Sequence, residues 1–224
     1  MRVANTLAAF ALLLASGHAI AANPESPFFL WQYFGLEGAV MMTEEPGRVQ
    51  TFEANGRRSA LVQDGRTIAY TWRPSKRELV SRLGDGAMTV WIFDEEGYVI
   101  ETTYYFSSGG SSTLSTSYSG NPRVGRTTNV RSGDLSDTKV FDEAGRLVQY
   151  LAEAQRQDYV LDDKGNRIEY RRYEDEGTLV DEFRYEYEFD EHGNWVRKVE
   201  IAWVPALNRF SNTAVVTERR VSYY

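Results

Sequence analysis

From about residue 88 to 203 the chain alternates apolar and polar positions on both sides of a recurring stretch, apolar–Asp–x–x–Gly. The copies are Phe93-Asp94-Glu95-Glu96-Gly97, Phe141-Asp142-Glu143-Ala144-Gly145, Leu161-Asp162-Asp163-Lys164-Gly165 and Phe189-Asp190-Glu191-His192-Gly193. Asp favours the first position of a type I turn, where its side chain bonds backbone ahead of it, and Gly tolerates the left-handed conformation that closes such a turn. Before each turn the aromatic and aliphatic residues share one face: Trp91 and Phe93, Tyr159 and Leu161, Tyr185, Tyr187 and Phe189. After it, the third residue past Gly is aliphatic: Ile100, Val148, Ile168 and Val196. Weaker copies keep that position, with Ile68 after Gly65 and Val180 after Gly177. Period-two alternation around a fixed turn predicts β-hairpins. The expected fold is all-β, consecutive antiparallel hairpins forming a twisted or curled meander sheet.

The same pattern places strands at Arg48–Phe52, Arg58–Val62, Ile68–Trp72, Glu78–Leu83, Met88–Phe93 and Val99–Phe106. The turns between them include Asn55-Gly56, Asp64-Gly65 and Asp85-Gly86, and Asn-Gly and Asp-Gly are strong hairpin signals. Ser75 to Glu78 also has capping-box form, so a short helix over Ser75–Leu83 competes with the strand, which is preferred. Residues 107–136, rich in Ser, Thr, Gly and Asn, read as a mobile loop or a pair of polar strands. Further strands are expected at Lys139–Phe141, Leu147–Leu151, Asp158–Leu161, Arg167–Tyr173, Glu182–Phe189, Trp195–Val204 and, after a loop from Pro205 to Asn212, Thr213–Tyr223. Glu186 and Glu188 oppose the aromatic face of their strand, giving one dry face and one wet one.

Upstream, Arg2 followed by an apolar run from Leu7 to Leu14 and by Ala19-Ile20-Ala21 has the form of a secretory signal peptide. The expected organisation is a signal peptide over 1–21 with cleavage near Ala21/Ala22, then one hairpin-repeat domain over 22–224, periplasmic or secreted. The dense run Phe28-Phe29-Leu30-Trp31-Gln32-Tyr33-Phe34 is expected to cover the sheet, because a sheet needs one face buried. Glu44-Glu45-Pro46-Gly47 reads as a turn.

Composition then narrows the chemistry. There is no Cys, which excludes disulfides and thiolate metal sites. The net charge is −7, and −8 without Arg2 (24 basic against 32 acidic residues), which disfavours nucleic acid as a partner. Downstream of residue 21 the one His is His192, at a turn position held by Glu96, Ala144 and Lys164 in the other copies, so it reads as a solvated turn residue. A Ser-His-Asp triad or a His-rich zinc site has no further His to draw on. The carboxylates Asp94, Asp142, Asp162 and Asp190 are explained as turn formers, although a pair could in principle act on a glycoside. A platform of Trp72, Trp91, Tyr104, Tyr105, Tyr150, Tyr170, Tyr185, Tyr187, Trp195 and Trp203 could stack on sugar rings, or simply fill the core. Charges at Arg167, Glu169, Arg171, Glu182, Arg184 and Glu186 argue against a lipid-facing barrel.

Phe141-Asp142-Glu143-Ala144-Gly145-Arg146-Leu147 and Phe189-Asp190-Glu191-His192-Gly193-Asn194 resemble the tyrosine–aspartate (YD, or RHS) repeats of bacterial secreted and surface proteins, whose motif is Tyr-Asp-x-x-Gly followed by Arg-Leu or Asn. The resemblance implies consecutive hairpins in a twisted sheet and an envelope or exterior location. It departs from that family in having Phe or Leu for Tyr and Gly-to-Gly spacings of 48, 20 and 28 residues. The chain is too short for the shell that large members build. The resulting expectation is a non-catalytic exported structural or protein-interaction protein, with no cofactor, no metal, no catalytic residue, an unassigned binding site and no membrane-spanning segment. The alternative is a carbohydrate-binding module or carbohydrate-acting enzyme, with a glycan as partner in place of a protein.

Overall fold

The computed structural model describes residues 36, 38–54, 57–121, 123–174 and 177–224. The expected signal peptide and the aromatic run at 28–34 lie outside them.

The strands are β1 (Val40–Glu45), β2 (Arg48–Phe52), β3 (Arg58–Gln63), β4 (Arg66–Arg73), β5 (Glu78–Leu83), β6 (Met88–Phe93), β7 (Val99–Tyr105), β8 (Ser111–Ser119) and β9 (Val124–Asn129). They continue as β10 (Leu135–Phe141), β11 (Leu147–Ala152), β12 (Gln155–Leu161), β13 (Arg167–Glu174), β14 (Thr178–Phe189), β15 (Trp195–Val204), β16 (Arg209–Phe210), β17 (Val215–Glu218) and β18 (Arg220–Tyr223). Together they make one 18-stranded antiparallel sheet. From β1 to β15 each strand pairs with the next in sequence, so the meander is as expected.

The end of the chain differs from expectation. Thr213–Tyr223 was read as one strand; Arg219 divides it. β17 bonds to β15, and β18 bonds to β1, which thus has partners on both sides. The Arg219 N–H still donates to Val196 on the β15 side at 2.8 Å, while the Tyr224 N–H donates to Ala39 on the β1 side at 3.0 Å. The pairing circuit therefore returns to its start through a step within one run of chain. No single strand is hydrogen-bonded on both edges along its length there, so the sheet meets itself at a seam and is not zipped closed. Among the described strands, β1 to β15 have neighbours on both sides, which leaves β16, β17 and β18, each paired on one side, as the edges open to strand addition.

Residues 107–136 form the polar strand pair β8 and β9, and Glu78–Leu83 is a strand, preceded by one 3-10 turn at Pro74–Lys76. Asp64 (φ 50°) and Gly65 (φ 75°) both take positive φ, the geometry a two-residue hairpin turn demands. That turn, like the one at Gly177, joins an odd strand to an even one and so lies at the opposite end of the sheet from the four Asp turns. These two weaker copies do not belong to the row. β1 had no counterpart in the sequence reading.

Directly paired residues of an antiparallel sheet point to the same side. One face, called inner here, carries Thr43, Gln50, Leu61, Ile68, Trp91, Thr116, Thr127, Asp137, Gln157 and Tyr159, all buried. Three apolar clusters lie on or beside it: Leu36, Val40 and Phe52 beneath Val221 and Tyr223; Leu79, Trp91 and Phe93 beneath Tyr70 and Trp72; and Tyr98, Phe141, Leu147 and Tyr159 beneath Tyr118 and Tyr170. The outer face of β12–β15 is a charged lattice. Glu169 stands opposite Arg184 and Arg171 opposite Glu182, with Arg197 bonded to Glu188 at 2.5 Å. Arg167 is the exception to the alternation read from sequence: a register shift at Leu161 turns it onto the inner rings of Tyr159 and Tyr170, 4.3 and 5.4 Å from their centroids.

Candidate functional site

The four Asp turns have one geometry. In each, the Asp N–H donates to the carbonyl four residues on, at 2.9 Å (Asp94 to Tyr98) and 2.8 Å (Asp142 to Arg146, Asp162 to Asn166, Asp190 to Asn194). The N–H of that fourth residue donates back to the Asp Oδ1 at 2.8, 2.8, 2.7 and 2.8 Å. The Gly N–H closes onto the Asp carbonyl at 2.9–3.2 Å. A register shift immediately before each turn inserts the extra residue. A fifth member escaped the sequence reading: Phe52-Glu53 follows a register shift, and the Glu53 N–H donates to Arg57 at 2.7 Å. Glu standing in for Asp, and an Asn-Gly pair with its own turn preference, hid the frame.

Such bulges leave backbone groups outside the ladder, where burial without a partner is costly. In three turns a side chain from the neighbouring strand supplies the bond, always to the second residue past Gly. The Tyr118 hydroxyl donates to the Val99 carbonyl at 2.9 Å, the Tyr187 hydroxyl to Arg167 at 2.7 Å, and Arg219 Nε to Trp195 at 2.7 Å. The aromatic-before-turn pattern thus has a structural purpose that extends one strand over.

His192, read as a solvated turn residue, sits against the seam. Its ring lies 4.3 Å from that of Tyr223, centroid to centroid. The Tyr223 hydroxyl donates to Asp190 Oδ2 at 2.5 Å and accepts from Asn194 Nδ2 at 2.6 Å. Asn194 is fully buried. Burial opposes ionisation of Asp190, but the hydrogen bonds from Tyr223, Asn194 and His192 outweigh it and hold the carboxyl below its ordinary range. Tyr223 is pushed up to about 12 by burial and by the Asp190 bond. Burial lowers Arg219 to about 10, against the opposing pull of Glu45 and Asp190, and its guanidinium lies 3.8 Å over the Trp195 ring. His192 is an exposed turn residue, as read from the sequence, and its ring also packs on the seam.

Elsewhere the inner face mixes rings with bonded polar groups. Arg58 donates to Gln50 at 3.1 Å, which donates to Thr43 at 3.3 Å. Lys139 bonds Asp137, and also Thr127 at 3.3 Å. Burial raises Tyr104, Tyr159 and Tyr185 to about 12 and moves Tyr150 and Tyr187 in the same direction. Of the platform aromatics, most therefore pack inward; Tyr105, 43% exposed, does not. A cleft of about 430 Å³ opens between the turns at Asp94 and Gly120, where Arg123 lies 4.1 Å over Tyr98 and pairs with Glu96. Among the described residues no group of three His, Asp or Glu side chains is placed to hold a metal ion. No helix among them is long and apolar enough to cross a membrane.

No family model matches the chain, and no curated protein matches it. Among solved structures, it is similar to a porin-like protein from Bacteroides uniformis, with a TM-score of 0.60 at 8% identity over 84% of this chain and 98% of that one. A porin-like protein from Bacteroides vulgatus matches with a TM-score of 0.48 at 10% identity, over 83% and 98% of the two chains. The first likeness establishes a shared fold.

Proposed function

We propose that the chain is a non-catalytic structural or protein-interaction protein of the bacterial envelope, exported by the leader over residues 1–21 and built from hairpins of the YD/RHS kind. The observation that carries this reading is the fate of the four turn carboxylates. Asp94, Asp142, Asp162 and Asp190, the one repeated set of acids available for chemistry, each close their own turn. The porin-like name of the structural neighbour fits an envelope location. The paired charges on the outer face of β12–β15 favour contact with water or protein over hydrocarbon on that sector, since a lipid-facing Arg costs about 2–4 kcal/mol at the bilayer midplane.

The test is capture of residues 22–224 from native envelope extract, beside a variant carrying Arg171→Glu, Arg184→Glu and Arg197→Glu. The reading expects a stoichiometric protein partner whose recovery falls at least tenfold with the variant. A saturable hydrolytic turnover that persists through purification and vanishes in a folded Asp142→Asn variant would overturn it.

A further inference from the structure

The step at the seam leaves the edge of β17 bare among the described residues. β17 pairs with β15 on one side, and β1 does not reach its other side: Glu44 stands opposite Arg220, and β1 ends one residue later at Glu45. The Arg219 N–H donates toward β15, so alternation along the run turns the backbone groups of Ala214, Val216 and Glu218 to the bare edge. Sheet edges are commonly guarded against pairing by charged side chains. This edge has no charged residue from Phe210 to Thr217, and Val215 and Val216 are 62% and 47% exposed. Its sequence also has a twofold character. Thr213-Ala214-Val215-Val216-Thr217 reads alike in both directions from Val215, with Ala or Val on either side and then Thr. Antiparallel pairing of a segment with its own copy about a twofold axis sets residues at equal distances from the centre opposite one another.

We propose that β17 pairs edge to edge with β17 of a second copy of this chain, antiparallel, with Val215 on the twofold axis. Ala214 then lies opposite Val216 of the other copy, and these pairs exchange the N–H and C=O groups that face the bare edge. Thr213 lies opposite Thr217, a favourable cross-strand hydroxyl pair. Glu218 meets Asn212 and not its own counterpart, so no like charges are set against each other. The same register avoids β1. At the level of Glu218 the incoming chain has reached Asn212, which is a bend, so the extended ladder stops short of the turn between β1 and β2. A foreign strand would need none of this symmetry, and the symmetry favours a second copy over other occupants. The contact is short, below the roughly 1,000 Å² of a stable interface, so the dimer is reversible and concentration-dependent. This inference does not depend on the proposed envelope role.

The test is sedimentation equilibrium of residues 22–224 from about 1 μM to about 1 mM, the range of weak association. The expected result is a monomer–dimer equilibrium. Val216→Pro removes an N–H that faces the bare edge and none that bonds β15, so it should weaken the dimer about tenfold or more while the circular dichroism stays unchanged. Val215→Lys and Val215→Glu each set like charges across the axis and should be monomeric alone, whereas their equimolar mixture should dimerise again. That rescue requires Val215 to face its own counterpart. A wild type that is monomeric at every concentration, a dimer indifferent to the substitutions in folded protein, or a mixture that stays monomeric would each overturn the proposal.

Discussion

At the residue scale, small groups decide large contacts. Gly125 takes an ordinary φ, yet a Cβ there would meet the Tyr118 ring at 2.6 Å. The ring needs that space to bring its hydroxyl to the Val99 carbonyl. Gly125→Ala should therefore destabilise by about 1–3 kcal/mol through overpacking and loss of the bulge cap, read from urea unfolding. An unchanged midpoint would show that Tyr118 is not fixed there. The seam tyrosine makes a parallel case. Tyr223→Phe removes a donor to Asp190 and an acceptor for Asn194, and a cost of about 1–3 kcal/mol is expected. Because Asp190 is held below its ordinary value when folded, its contribution is present above the unfolded value of about 3.9 and is lost as pH falls through the folded one. Acid unfolding of the wild type and Asp190→Asn should converge below that range; a constant gap down to the most acid point would refute the assignment.

At the scale of elements, the hairpins were legible and their neighbours were not. Alternation and turn chemistry are local, so strands such as Met88–Phe93 and Trp195–Val204 match to the residue. The dry side of β14 was also legible, from Tyr185, Tyr187 and Phe189 against Glu186 and Glu188. Bulges spoil longer extrapolation: one extra residue at Leu161 sends Arg167 inward while Glu169 and Arg171 remain outside. Which end of the sheet a turn occupies depends on counting every strand, whereas the local frame of a Gly followed three residues later by an aliphatic residue carries no such count, and so Gly65 and Gly177 resembled members of a row at the other end of the sheet. The two faces should respond differently to substitution. Arg184→Leu in the outer lattice should change stability by less than about 1 kcal/mol, whereas Tyr159→Ala on the inner face should cost about 3–5 kcal/mol. Equal effects in denaturant titrations would mean that the faces are misassigned.

At the scale of the whole molecule, the raised inner tyrosines and the seam are two sides of one arrangement. Groups held neutral by the fold contribute stability below their unfolded pKa of about 10 and lose it as pH rises toward the folded value near 12. Ultraviolet titration should accordingly find inner tyrosines un-ionised above pH ~10 until the protein unfolds cooperatively. Nothing in the sequence marks the seam itself. Thr213–Tyr223 reads as an unbroken strand, and the change of partner at Arg219 arises from where β1 and β15 end, which are facts some 150 residues apart in the chain. The significance of His192, Asn194 and Tyr223 was hidden for the same reason.

The absence of Cys makes the seam directly testable. Odd residues of the last run direct their N–H groups to β15 and even ones to β1, so Val216 opposite Val199 and Val221 opposite Thr43 are both non-hydrogen-bonded pairs, the closer kind. A variant carrying Val199→Cys, Val216→Cys, Thr43→Cys and Val221→Cys should form both disulfides, 199–216 and 43–221, within the same monomer under mild oxidation, seen as one peptide-mapped species. Formation of only one bond, or of bonds between molecules, would contradict a last strand that joins β15 to β1.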